Sequence, residues 1–332
     1  MSSYSPPYEI TDQILSYVSS ISEKVGRITE RNHLESKPRL RRNNKIKSIH
    51  SSLSIEANSL SLPQVKDVIN GKIVIGAARE IQEVKNAYAA YEEIETIDPY
   101  SIEELKRIHN IMTKYLVDES GVFRHGEEGV FNGEQCIFMA PPARFVPSQM
   151  QELFHWMKSN EERIHPLILS AVFHYEFVFI HPFADGNGRM VRLWHTVLLT
   201  KWKSVFEFIP IESQIEKFQD GYYQAIAVCH TNGNSTEFVE FILEQIDKIL
   251  DEICSQSIFF NEYTSSYVEK LLAVMEYDTP YTANQLLGLL HLKSKETLRK
   301  NYLNPAIENG LIAMTIPEKP KSKNQRYIKN VL

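Results

Sequence analysis

Cysteine is scarce in this 332-residue chain, which has three: Cys136, Cys229 and Cys254. They are too widely spaced for a CxxC metal knuckle, and their odd number argues against a disulfide framework. Long apolar runs are missing too. The longest, 167–180, is interrupted by Ser170, His174 and Glu176 and is too short to span a bilayer. The opening MSSYSPPYEITDQ has neither the basic nor the apolar stretch of a secretory signal, so a cytoplasmic, reducing setting is expected, with no membrane contact. A global excess of positive charge is absent: the formal net charge of −6 gives no overall drive toward nucleic acid. Internal repeats and low-complexity runs are absent as well. What remains is an ordinary globular composition, 43% hydrophobic and 23% charged, at a length that suits two domains or one large domain with an appendage.

Helical periodicity dominates and predicts an all-α class. Residues 10–28 place Ile14, Leu15, Val18, Ile21 and Val25 on one face, and 77–95, 102–116, 149–158, 166–180, 187–202 and 236–256 read the same way. One stretch breaks the pattern. Val130-Phe131, then Asn132-Gly133, then Cys136-Ile137-Phe138 reads as strand, tight turn, strand, because Asn-Gly tolerates the positive φ angles of a hairpin turn. Between 293 and 329 the character changes again, with nine Lys or Arg against three Glu. A helix over 282–290, a turn, a helix over 294–308, and strands over 311–316 and 325–328 joined by PEKPKSKN follow the plan of a winged helix-turn-helix. Such a module either enters a DNA groove with its second helix or serves as a docking piece with a solvated basic loop.

Residues 181–189 read HPFADGNGR, and Arg192 follows three positions on. Pro182 disfavours helical backbone at His181, so the helix over 166–180 should end there. Gly186 and Gly188 have no Cβ, which lets their N–H groups approach a ligand closely. They run directly into the helix that starts near Asn187, and a helix start with free N–H donors is an anion site. Arg189 and Arg192 are spaced i, i+3 and rise from one helix face above that site. Asp185 is expected as a free carboxylate beside phosphates, where a divalent cation binds through one carboxylate plus phosphate oxygens. His181 stands at the opposite edge, able to take a proton from an incoming hydroxyl. No GxxxxGK(S/T) is present, so this is not a Walker loop. The spacing describes a phosphate cradle with a base in front of it.

HPFADGNGRMVR also satisfies the signature HPFx(D/E)GNGRxxR at every specified position, and on those residues the chain resembles the Fic-domain (Fic/DOC) family. The resemblance implies an all-helical core with a short β-hairpin flap, and an enzyme that moves AMP from ATP onto a Ser, Thr or Tyr hydroxyl of a target protein. His181 would be the general base and Asp185 would hold Mg²⁺ on the α- and β-phosphates. Gly186, Asn187 and Gly188 would form the anion hole, while Arg189 and Arg192 would grip the β- and γ-phosphates. The hairpin would be a flap that positions the target by strand addition, with Ile137 and Phe138 facing the target residue and nucleotide. Tyr222 and Tyr223 resemble a tyrosine pair that lines the adenine pocket in several members.

Upstream, Ser52-Leu-Ser-Ile-Glu56-Ala-Asn58 resembles the inhibitory-helix motif (S/T)xxxE(G/N) of some members. Ser52 and Glu56 share a helix face. On the resemblance, Glu56 would pair with Arg192 in place of the γ-phosphate, a contact suited to the bidentate arginine fork. Position 57 departs from the motif, being Ala where the motif has Gly or Asn. The expected organisation is an N-terminal helical region over 1–100 with the inhibitory helix near 50–60, a catalytic core over 101–235, a connecting helix over 236–260 and a winged-helix domain over 261–332. The target protein is the expected partner, and a homodimer and DNA stay open as others. Two further readings stay open: the same fold removing AMP or moving another phosphate-linked group, and a nucleotide-sensing DNA-binding regulator.

Overall fold

Helices supply nearly every regular element, as a 3.6-residue period throughout the sequence requires. The computed structural model describes residues 4–31, 38–132, 135–263, 265–276, 279–320 and 322–329. In chain order the elements are α1 (Asp12–Arg31), α2 (Pro38–Ile55), α3 (Leu62–Ile69), α4 (Ala78–Tyr91) and α5 (Ile102–Thr113). The hairpin strands β1 (Gly129–Asn132) and β2 (Gln135–Met139) follow, then α6 (Val146–Asn160), α7 (Pro166–Ile180) and α8 (Asn187–Trp202). After these come α9 (Ile211–Lys217), α10 (Gln219–Asn232) and α11 (Thr236–Tyr263). The predicted spans 166–180 and 187–202 coincide with α7 and α8. Among these, α3, α9, α10 and most of α2 were not expected: α3 and α9 are too short to show a stripe, and α2 and α10 carry no clear apolar period.

The chain divides into two units, one of Met1–Gly26 with Asn44–Ile249 and one of Arg27–Asn43 with Leu250–Leu332. In the first, α7 is apolar almost all round, and such a helix must be buried on every side. Leu167, Val172, Phe173 and Phe177 are fully covered, with α6 and α8 packed against it. Helix α8 is held in turn by Trp194, whose indole N–H donates to the Pro99 carbonyl at 3.1 Å. The antiparallel hairpin pairs Gly129 with Met139 and Val130 with Phe138, and its register shifts between Val130 and Phe131. Gly133, expected in its turn, lies outside the described residues, as do the side chains of Ile137 and Phe138.

The second unit has its own core. Helix α12 (Ser266–Val274) and α13 (Ala283–Leu289) pack with a third helical run that starts at α14 (Lys295–Thr297) and ends at α15 (Asn304–Glu308). Strands β3 (Ile312–Met314) and β4 (Tyr327–Lys329) pair antiparallel behind them. Leu271, Leu286, Leu298, Tyr302 and Ala306 form the shared interior. The helix expected over 294–308 is continuous but π-helical over Leu298–Leu303. Pro305 accounts for this, because its ring conflicts with the carbonyl of Asn301 and it has no N–H; a wider turn accommodates the misfit. Among the described residues no helix is long and apolar enough to cross a membrane.

Candidate active site

The cradle forms where α7 stops and α8 begins. His181 takes left-handed backbone, φ 51°, ending α7 as Pro182 demands. For a residue with a Cβ this conformation costs about 1–2 kcal/mol, so its surroundings must hold it. Its N–H donates to the Phe177 carbonyl at 2.9 Å. Gly186, at φ 83°, caps α8 in a backbone conformation that strains any side chain, and a Cβ there would press on Thr113 at 3.0 Å. Asn187 braces the loop: its amide group donates to the Phe183 carbonyl at 2.6 Å and accepts the Phe183 N–H at 2.9 Å. Its side chain therefore shapes the cradle and leaves the backbone to bind. The first helical bond of α8 is Met190 N–H to Gly186, so among the described residues the N–H groups of Asn187, Gly188 and Arg189 have no backbone acceptor.

A histidine that the sequence did not single out stiffens this loop. His109 is fully buried on α5 and stacks on Phe183 at 3.7 Å. Its Nδ1 accepts the Gly121 N–H at 2.9 Å, so Nε2 carries the proton and donates to the Asp185 carbonyl at 3.0 Å. Burial pushes His109 down to about 4, which keeps it neutral in that role. His181 is also held below its ordinary value, first by burial and then by the nearby Arg124 cation, against smaller opposing effects of the Val178 carbonyl and Glu56. A neutral imidazole is the form a general base requires.

Both arginines are buried. Arg189 donates through Nη2 to Asp185 at 2.8 Å, whereas its Nε and Nη1 have no hydrogen-bond acceptor among the described residues. Glu83 stands 3.7 Å from Nη1. Buried donors left in this state are costly unless a ligand supplies acceptors. Asp185 corrects the expectation of a free carboxylate, since Arg79 holds its other oxygen at 2.9 Å. It remains a partly exposed carboxylate at the cradle edge, a donor that fits Mg²⁺ completed by phosphate oxygens. Among the described residues no cluster of three His, Cys, Asp or Glu would hold a metal alone.

Glu56 comes to the same spot from 136 residues upstream, its carboxylate accepting from Arg192 Nη2 at 2.8 Å. It lies directly over Gly188, where any Cβ would collide with it. A carboxylate thus occupies the N-terminal end of α8, where a phosphate oxygen would sit. Ser52 joins it: Arg192 donates to the Ser52 hydroxyl at 3.1 Å and to its carbonyl at 2.8 Å. Helix α2 ends at Ile55, just short of Glu56, with Ala57 at φ 64° as a left-handed cap. The Asn58 N–H reaches the Leu53 carbonyl and the Ala57 N–H the Ser54 carbonyl, the bonding of a Schellman cap. This explains why the motif has Gly or Asn at position 57, and it makes Ala57 a strained occupant. Asn58 ties the turn to α4 through Glu83 at 2.8 Å.

The two tyrosines part company. Tyr222 is buried, with its hydroxyl 2.9 Å from His174 and its ring against Phe238, which is a core position rather than an open face for adenine. The side chain of Tyr223 is exposed beside it.

Comparison with known proteins gives a consistent picture. Residues 99–199 match the Fic/DOC family, and residues 266–328 match the C-terminal domain described as filamentation induced by cAMP protein Fic-like. A Fic family protein from Desulfovibrio desulfuricans G20 has a crystal structure 42% identical in sequence, with 99% of both chains covered and a TM-score of 0.72. The chain is 28% identical over 212 residues to the protein adenylyltransferase Fic of Drosophila mojavensis, covering 61% of this chain. It is 27% identical over 243 residues to the protein adenylyltransferase fic-1 of Caenorhabditis elegans. The chain spans about 40% and 46% of the lengths of these two curated relatives.

Proposed function

The chain belongs to the Fic/DOC family, and from that premise we propose that it is a protein adenylyltransferase restrained by its own Glu56. His181 takes the proton of a target hydroxyl, whose oxygen attacks the α-phosphorus of ATP. The bond from that phosphorus to the bridging oxygen breaks, pyrophosphate leaves, and AMP stays on the target. Asn187, Gly188 and Arg189 offer backbone N–H groups to the phosphates, and Arg189 and Arg192 grip the charge that pyrophosphate carries away. Asp185 would hold Mg²⁺, which when bound neutralises charge on the α- and β-phosphates. The hairpin 129–139 would hold the target segment by strand addition, and Tyr223 offers a ring to the adenine.

The observation that carries this reading is the Glu56 carboxylate on Arg192 and over Gly188. An anion already sits in the cradle, and it comes from a residue that the reaction does not need. Incubation with ATP and Mg²⁺ followed by intact mass spectrometry tests it. The Glu56→Gly chain should gain the mass of one AMP group, and His181→Ala in that background should not. An unmodified Glu56→Gly chain that still binds ATP would favour a nucleotide sensor instead.

A separate observation supports a winged-helix module that contacts DNA. Lys293, Lys295, Arg299 and Lys300 around the third helical run, and Lys319, Lys323 and Arg326 around the β3–β4 loop, are all exposed. Among the described residues none of these seven has a carboxylate at ion-pair distance, a surface suited to a phosphate backbone.

A further inference from the structure

Arg124 lies between α5 and β1, outside every motif of the sequence. It is 2% exposed, and all of its hydrogen bonds go to backbone carbonyls. Nε donates to the carbonyl of His181 at 2.7 Å, and Nη1 donates to Gly126 at 2.8 Å. Nη2 donates to Pro141, with Ile180 also in reach at 3.3 Å, and the Arg124 backbone N–H donates to Pro182 at 2.9 Å. These acceptors come from three places. Ile180, His181 and Pro182 are the end of α7 and its turn. Gly126 precedes β1, and Pro141 follows β2. The hairpin is closed between them by the Ala140 N–H on the Glu128 carbonyl at 3.0 Å.

A buried cation without a carboxylate in contact is costly, and here the planar fork of five donors is what satisfies it. Lysine, with a compact ammonium, cannot reach the same set at once. An isolated two-stranded hairpin has little stability of its own in water, so the attachment at its base sets its direction. His181, in left-handed backbone, likewise keeps its place only through what surrounds it. One guanidinium group serves both.

We propose that Arg124 is a positioning residue that locks the His181 turn to both ends of the hairpin, fixing the distance between the base and the hydroxyl presented to it. This rests on the reading of His181 as general base and of 129–139 as the target-holding flap. Misplacement of about 1 Å between reacting groups costs on the order of 100-fold in rate, so a tether of this kind acts on turnover and not on nucleotide affinity.

The test uses the full chain carrying Glu56→Gly, with ATP and Mg²⁺ as probes and self-labelling as the readout. Arg124→Lys should slow labelling by roughly 10- to 100-fold while ATP affinity stays within about twofold. The groups that face His181 are Arg124, Glu56 and the Val178 carbonyl, and Glu56 is absent in this background. Arg124→Gln should therefore move the acid limb of the pH–rate profile upward, because the cation that holds His181 down is gone, whereas Arg124→Lys should leave the limb in place. Hydrogen exchange decides independently of any activity. Arg124→Lys should lose protection in the β1–β2 ladder while α7 and α8 keep theirs. Unchanged ladder protection, or labelling at the parent rate, overturns the proposal. Labelling that survives His181→Ala overturns the base assignment instead, and the exchange result then still shows whether Arg124 tethers the hairpin.

Discussion

Replacing Glu56 with glycine should free Arg192 for the γ-phosphate, and the size of the effect follows from the contact removed. The pair is a single hydrogen bond of 2.8 Å between a guanidinium that is 1% exposed and a carboxylate that is 36% exposed. A hydrogen bond to a charged group contributes about 1.5–3 kcal/mol net. Screening at the exposed carboxylate argues for the lower half, about 1.5–2 kcal/mol. Each 1.4 kcal/mol is tenfold, so Glu56→Gly should bind ATP roughly 10- to 30-fold more tightly. Glu56→Gln keeps the shape without the charge and should fall between. Calorimetric titration with ATP and with ADP measures this directly, because ADP lacks the contested phosphate and should gain much less. The unliganded variant should also melt at a lower temperature, since the buried Arg192 then loses the carboxylate it donates to while keeping its Ser52 bonds, and ATP should restore the loss. Equal gains for ATP and ADP, or no gain for either, would refute the competition.

Ala57→Gly should relieve the left-handed strain at φ 64°, raising stability by up to about 1 kcal/mol and deepening inhibition; a lower melting temperature would contradict the cap assignment. Burial pushes His109 and His195 down to about 4, while the unfolded chain protonates them near the ordinary value of 6.5. The unfolded state therefore binds more protons between those values, so stability is complete above about pH 6.5 and falls as pH drops toward about 4. The loss is of order 3 kcal/mol per histidine, and melting curves across that window check it; stability that rises on acidification would refute it. Neutralising Arg299, Lys300 and Arg326 together should weaken binding to duplex DNA and flatten its salt dependence by about one unit per lost contact, and the absence of any binding at low salt would end that reading.

The cradle was legible because its parts are neighbours in sequence: the glycines, the helix start and the two arginines fall within HPFADGNGRMVR. Helices α7 and α8 were legible for a related reason, a dense apolar pattern with a proline or a glycine at the boundary. Glu56 and Arg192 are far apart in the chain, and only a motif resemblance joined them. The strain at Ala57 could not be foreseen, since a departure from a motif does not reveal a φ angle. Arg124 and His109 were invisible for a different reason. Their partners are backbone carbonyls and N–H groups, which every residue has, so no pattern of side chains announces them. Asp185 read as free because Arg79 approaches it from α4, a pairing that only the packing of α4 against the cradle creates.

The central claim is that this chain transfers AMP and that His181 takes the proton. Its most direct measurement compares ATP labelled in the α-phosphate with ATP labelled in the γ-phosphate, using the Glu56→Gly chain with and without His181→Ala. The account predicts protein-bound label from the α-position only, and its disappearance when His181 is replaced. Label from the γ-position, or α-label that persists without His181, would contradict it.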